Sequence, residues 1–147
     1  MKKILSVILA ITLVFALTAC GLQSNTRGSI SLTDSRGVEV TLKKTPEKIV
    51  SLMPSNTEIL FALGCGEKVI AVSDYCNFPE ETANLPKLPT GEQLSIEQII
   101  ALTPDAAIIG KMTAMEDQVA QLEQAGVKVI VTEANNLSET YEVIEMI

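Results

Sequence analysis

Four kinds of side chain in this sequence could do chemistry by their type and placing. Ser55 follows Pro54 in "SLMPSNTEIL" (51–60), where an apolar run breaks and a helix begins; a serine at such a turn sits where a nucleophile elbow would hold it. Asp74 and Glu133 each follow an apolar run and could hold a hard cation through oxygen. Cys65 and Cys76 are thiols that could pair or oxidise. Lys111 is a cation that could meet a carboxylate or phosphate on a ligand, or simply stay solvated.

Most of that chemistry fails on the rest of the sequence. G-x-S-x-G is absent and the 147 residues contain no histidine, so Ser55 lacks both the elbow glycines and a base. Helix capping accounts for it instead, because Ser55 and Glu58 have the S-x-x-E spacing of a capping box. Neither G-x-x-x-x-G-K-[ST] nor G-x-G-x-x-G occurs, and "MPSN" has no glycine to bring backbone against a phosphate. The missing histidine also weakens a zinc or manganese site, which leaves solvated or capping roles for Asp74 and Glu133. No catalytic residue and no protein-held metal are expected.

The elements that position these residues follow from periodicity. "SISLTDSRGVEVTL" alternates on either side of "DSRG" and reads as a β-hairpin with Gly37 near its turn. Strands are expected at 48–52, 68–73, 106–110 and 128–133. Helices are expected at 55–64, 95–103 and 114–126, with a last one from Ser138 onward. Ser95 is placed to cap the second helix, whose Ile96, Ile99 and Ile100 share one face. Met115, Val119 and Leu122 repeat that pattern, and Gly126 ends the third helix. Four βα units in series predict a parallel sheet with helices on both faces, a Rossmann-like α/β lobe preceded by a β-hairpin.

In such sheets ligands lie beyond the carboxyl ends of the strands. The candidate surface is therefore "MPSN" (53–56), "DYCNF" (74–78), "TGEQ" (90–93), "KMT" (111–113) and "EANN" (133–136). The proline-rich stretch from Ser73 to Ser95 is far longer than an ordinary connection of about 2–6 residues, and loops of that kind at strand ends are usually functional. Cys65 and Cys76 fall at opposite ends of the strand "VIAVS". At about 3.3 Å per residue they lie beyond the roughly 7 Å Cα spacing a disulfide tolerates, so two free, partly buried thiols are expected.

The N-terminus is a targeting segment. Lys2 and Lys3 precede an uncharged apolar run, Ile4 to Leu17, and "LTAC" then ends at Cys20 before Gly21. The run is shorter than the about 20 residues needed to span a bilayer. It reads as a signal peptide, residues 1–19, whose ending resembles a bacterial lipobox: Cys20 would be acylated and would anchor the protein to the extracytoplasmic face of the bacterial cell membrane. Residues 20–28 form a polar tether. Cleavage removes two of the 11 basic groups and none of the 18 acidic ones, moving the net charge from −7 to −9, which makes nucleic acid an unsuitable partner.

"TDSRGVEVTLKKTPEKIVSLMPSNTEILFALGCGEKVIAVSDYCNFPEE", followed by "SIEQIIALTPDAAI", resembles the N-terminal lobe of the cobalamin/iron-complex class of ABC-importer substrate-binding proteins, and most closely its cobalamin-binding members. The resemblance covers nearly all the chain after the tether, through several linked motifs. It implies two α/β lobes joined by a long helix, with the ligand in the cleft between them. Residues 29–147 would be the first lobe. The last helix, "LSETYEVIEMI", reaches Ile147 with neither a cap nor a partner strand, the expected look of a piece of a longer protein.

Carried onto this chain, the resemblance implies that Pro54, Ser55 and Asn56 face the ligand and that Tyr75 contacts the corrin. Gly91 lies in a loop, Thr90 to Glu92, where the family pattern has an aromatic and this chain has none. Glu97 matches the glutamate that each lobe projects toward arginines on the permease, although a carboxylate in the first turn of a helix is also favoured by the dipole.

The implied function is binding without catalysis: capture of a cobalt corrinoid, or alternatively haem or a ferric siderophore, and delivery to an ABC permease with its ATPase. Anionic catecholate siderophores call for arginines in the cleft, and only Arg27 in the tether and Arg36 in the hairpin exist here. That favours a neutral or weakly charged macrocycle. For haem, Tyr75 or Met112 could serve as axial ligand. A surface enzyme on the same scaffold has no supporting residues, whereas a sensor or interaction lipoprotein without transport remains a distinct alternative.

Overall fold

Valine, isoleucine and alanine in short unbroken runs form strands that are buried on both faces, as a parallel sheet between helices requires. In the computed structural model, which describes residues 28–90, 94–111 and 116–147, four such strands and one short edge strand form one sheet. Residues 1–27 with Cys20, and also Gly91 and Met112, lie outside the described residues.

A hairpin comes first, β1 (Ile30–Thr33) paired antiparallel with β2 (Glu39–Leu42). Gly37 closes its turn at φ 77°, donating its N–H to the Asp34 carbonyl at 2.8 Å. There follow β3 (Ile49–Ser51), α1 (Pro54–Ala62), a 3-10 turn (Gly66–Lys68) and β4 (Val69–Ser73). A second 3-10 turn (Glu80–Asn84) leads to β5 (Lys87–Leu88), then α2 (Ile96–Ala101), β6 (Ala106–Gly110), α3 (Glu116–Gln124), β7 (Lys128–Thr132) and α4 (Leu137–Met146). The strand order is β5-β4-β3-β6-β7, all parallel.

Each face of the sheet carries its own core. Val50, Leu52, Ala107, Ile109 and Val129 meet Ile96 and Ile99 of α2 and Val119 and Leu122 of α3 on one face. On the other, Ile49, Val69, Val72, Ile108 and Ile130 meet Leu60 of α1, Val40 of the hairpin and Met146 of α4. Helices of six to ten residues are too short to stand alone in water. Their buried leucines and isoleucines, each worth about 1.5–3 kcal/mol on burial, hold them in place.

Two expectations need correction. The stretch from Ser73 to Ser95 is not wholly loop: it contains the second 3-10 turn and the edge strand β5, two residues between Pro86 and Pro89. Prolines lack a ladder donor and so confine a strand to a sheet edge. The capping box at Ser55 and Glu58 does not form either. Met53 is the N-cap of α1 and Pro54 its first helical residue, with no side-chain capping bond; the fixed φ of proline starts the helix one residue early. Ser95 does hold the N-cap position of α2, but its side chain makes no capping bond.

Candidate functional site

The chain leaves β3 toward β4 on one side, while β6 lies against the other side of β3, so the strand order reverses between β3 and β6. Crevices of this class open at such a point, beyond the carboxyl ends of the strands. The Leu52 N–H donates to the Ile108 carbonyl at 2.9 Å, the last tie before the two chains part. Met53 then lies over Gly110, in space that a Cβ on Gly110 would claim. Pro54 is half-buried and Ser55 exposed at this turn.

Asn56 takes a different part from its neighbours. It is 1% exposed, and its carboxamide donates to Thr132 Oγ1 at 2.8 Å and accepts from that hydroxyl at 3.1 Å. Its side chain is therefore occupied beneath the rim, tying α1 to the end of β7. Thr57 is equally buried and meets Ser51 Oγ at 2.8 Å and Cys76 Sγ at 3.3 Å. Cys65 and Cys76 are free thiols, half-buried and buried respectively, on either side of β4. This buried polar tier satisfies its own hydrogen bonds, which stiffens the rim from below.

Beyond β4 the side chains turn outward. Tyr75 is 63% exposed and Phe78 62%, two aromatics on one loop at the strand ends. Asp74 Oδ1 accepts from the N–H and hydroxyl of Thr90, at 3.2 and 3.1 Å. The carboxylate thus serves the loop rather than a cation. Among the described residues no group of three or more Asp, Glu, Cys or His gathers as a metal site.

At the ends of β6 and β7 a cavity of about 720 Å³ is lined by Arg36, Gly110, Lys111, Glu116, Glu123 and Glu133, among others. Both of its cations are paired with carboxylates. Lys111 Nζ donates to Glu133 Oε2 at 2.7 Å, and that bond raises the lysine pKa above its ordinary value. Arg36 donates through Nε to Asp34 Oδ2 at 2.8 Å and through Nη2 to Glu123 Oε1 at 3.0 Å.

Asp34 also accepts from the backbone N–H groups of Arg36, Val38 and Val131. Burial pushes its carboxyl pKa up, but the bonds from Arg36 and from those three amides outweigh it and hold the group below the ordinary aspartate value. Sequence reasoning saw "DSRG" only as a turn. In fact it covers the open edge of β7: Ser35 N–H donates to the Val131 carbonyl, and Ser35 Oγ accepts from the Glu133 N–H, both at 2.9 Å. The D-x-R spacing was the available signal.

Glu97 is exposed in the first turn of α2, while Ile96 and Ile99 on either side of it are buried.

A family model described as "Periplasmic binding protein" matches residues 49–147. YvrC of Bacillus subtilis (strain 168), an ABC transporter substrate-binding lipoprotein by name, is 42% identical over 122 residues, which are 80% of this chain and 38% of that protein. Among solved structures, the periplasmic vitamin B12 binding protein BtuF of Vibrio cholerae superposes with a TM-score of 0.63 at 33% identity, over 68% of this chain and 39% of that one. A periplasmic haem binding protein from Pseudomonas aeruginosa gives a TM-score of 0.63 at 30% identity, over 67% of this chain and 36% of its own. This chain spans about two fifths of the length of these relatives.

Proposed function

Because the chain belongs to the periplasmic binding protein family, we propose that it forms one wall of a two-lobed receptor. The receptor captures a metal complex, a cobalamin or related corrinoid in the favoured reading, and hands it to an ABC permease and its ATPase. It binds its cargo and catalyses no reaction; the cobalt or iron belongs to the cargo.

The observation that carries this reading is the character of the rim around Tyr75. Tyr75 is 63% exposed and Phe78 62%, both on the loop that follows β4, and exposed aromatics at a rim are the kind of surface a flat macrocycle stacks on. The cations nearby support a neutral cargo, since Lys111 and Arg36 are each paired with carboxylates. An anionic siderophore would have to displace those partners. Similarity to a vitamin B12 binding protein supports the corrinoid. Haem is the second reading, supported by the similarity to a haem binding protein and by the exposed Tyr75 phenol, an oxygen that can ligate iron.

Glu97 is the proposed contact with a permease arginine, and Cys20 the proposed lipid anchor on the extracytoplasmic side of the membrane. Pro54, Ser55, Gly91 and Lys111 are proposed to border the cargo with Tyr75, as is the backbone of Asn56. The test is an absorbance titration and thermal-shift screen of the complete two-lobed protein against cyanocobalamin, cobinamide, haem and ferric siderophores. A corrinoid is expected to raise the melting temperature. Failure of every one of these cargoes would sink the metal-complex reading.

A further inference from the structure

The edge strand β5 pairs with β4 over only two positions, Val72 with Lys87 and Ser73 with Leu88. So short a ladder leaves the two segments that follow these strands poorly fixed by the sheet itself. Yet both lie at the rim, one carrying Tyr75 and the other leading through Thr90 toward α2.

We propose that Thr90 and Asp74 are positioning residues, joined through Ser73 in a side-chain latch that fixes the backbone of Tyr75 at the rim. The Tyr75 N–H donates to Ser73 Oγ at 3.2 Å. Ser73 Oγ in turn meets Thr90 Oγ1, and Thr90 Oγ1 donates to Asp74 Oδ1 at 3.1 Å. Ser73 Oγ also donates to Asp74 Oδ1 at 3.4 Å, so both hydroxyls converge on the one carboxylate oxygen, and bonds that share partners in this way support one another.

The Thr90 N–H adds a further bond to the same carboxylate oxygen at 3.2 Å. Ser73 is fully buried and Thr90 8% exposed, so water does not compete freely for these hydroxyls. Asp74 N–H donates to the Leu88 carbonyl at 2.9 Å, which carries the β4–β5 ladder one residue past Ser73. The latch thus ties the loop after β5 to the residue that presents the exposed tyrosine. Its consequence for cargo rests on the receptor function proposed above; the latch itself does not.

Thr90→Val keeps the shape and removes the hydroxyl, Thr90→Ser restores the hydroxyl, and Asp74→Ala removes the acceptor. Amide hydrogen exchange of the full chain, measured by NMR without ligand, is the readout. Exchange at Tyr75 is expected to quicken about fivefold or more in Thr90→Val and Asp74→Ala, the loss of roughly one hydrogen bond, and to return to the parent rate in Thr90→Ser. The Val131 amide, held by Asp34 elsewhere in the lobe, is expected to stay unchanged. Equal acceleration at Val131, or none at Tyr75, would overturn the proposal.

A second arm titrates cyanocobalamin by absorbance into the complete two-lobed protein and its Thr90→Val variant, with weaker affinity expected in the variant. Affinity unchanged despite faster exchange would overturn the claim that the latch positions Tyr75 for cargo. No binding of cyanocobalamin or haem by the parent would count against the receptor reading, while the exchange result still decides the latch.

Discussion

Met53 and Gly110, the first residue past Leu52 and the last residue of β6, share one volume at the switch point: the methionine sulfur fills the space where a Cβ on Gly110 would stand. Gly110→Ala therefore forces the Met53 side chain aside. Methionine is flexible and this one is 39% exposed, so it can swing outward at a cost of about 1–2 kcal/mol. Met53→Ala in the same chain is expected to recover most of that loss. Denaturant unfolding of the two single variants and the double variant gives the coupling; strictly additive losses would mean that the two residues do not compete.

The Asp34 carboxylate is the pin that holds the hairpin on β7. Asp34→Asn keeps the size but removes the charge that faces Arg36 and three backbone amides, and a loss of about 2–3 kcal/mol is expected. The folded pKa lies below the unfolded value. The stabilisation is therefore fully present above the unfolded aspartate range and fades as pH falls through the folded value. Stability measured from pH 6 down to pH 2 should fall more steeply in the parent than in Asp34→Asn; parallel curves would remove Asp34 from the acid response.

Elements with a dense local pattern were readable in the sequence. β6 lies on 106–110 as expected because "AAIIG" is an unbroken apolar run between Pro104–Asp105 and Lys111. β5 was not readable, since two residues between prolines have no period. Capping was misplaced because Pro54 outranks Ser55 at the start of α1. The cap that does form is Asn136 on α4: Asn136 Oδ1 accepts from the Glu139 N–H at 3.0 Å, while the Glu139 carboxylate accepts from the Asn136 side-chain amide and from the Asn135 N–H. Asn56 and Thr132, 76 positions apart, and Arg36 and Glu123, 87 apart, are joined only by the topology. No local pattern in one sequence carries such partnerships, so a rim asparagine and a turn aspartate could not be told from structural ones.

Glu97 tests the transport half of the proposed function without disturbing the lobe. It is exposed beside the buried Ile96, so Glu97→Arg should change stability by no more than about 0.5–1 kcal/mol. Uptake of cyanocobalamin by cells whose transporter depends on the complete protein is expected to drop at least tenfold, with cargo affinity unchanged, because an arginine there would face an arginine on the permease. Unimpaired uptake would remove Glu97 from docking.

Tyr75 separates stacking from ligation. Its ring is 63% exposed and lies on a loop whose backbone is held from beneath through Ser73, so Tyr75→Ala should leave the melting temperature nearly unchanged while removing a flat contact surface. An aromatic anchor of this kind is worth about 1–3 kcal/mol in binding, roughly a fivefold to hundredfold loss of affinity. Tyr75→Phe keeps the ring and discards the phenol. If the cargo is a corrinoid that stacks on the ring, Tyr75→Phe retains the parent affinity. If it is haem held through the phenol oxygen, Tyr75→Phe should bind as poorly as Tyr75→Ala and lose the tyrosinate-to-iron absorption as well. Equal affinity in all three proteins would take Tyr75 out of the site altogether. The comparison is best made in the complete two-lobed protein, because one wall alone buries too little of a macrocycle to hold it tightly.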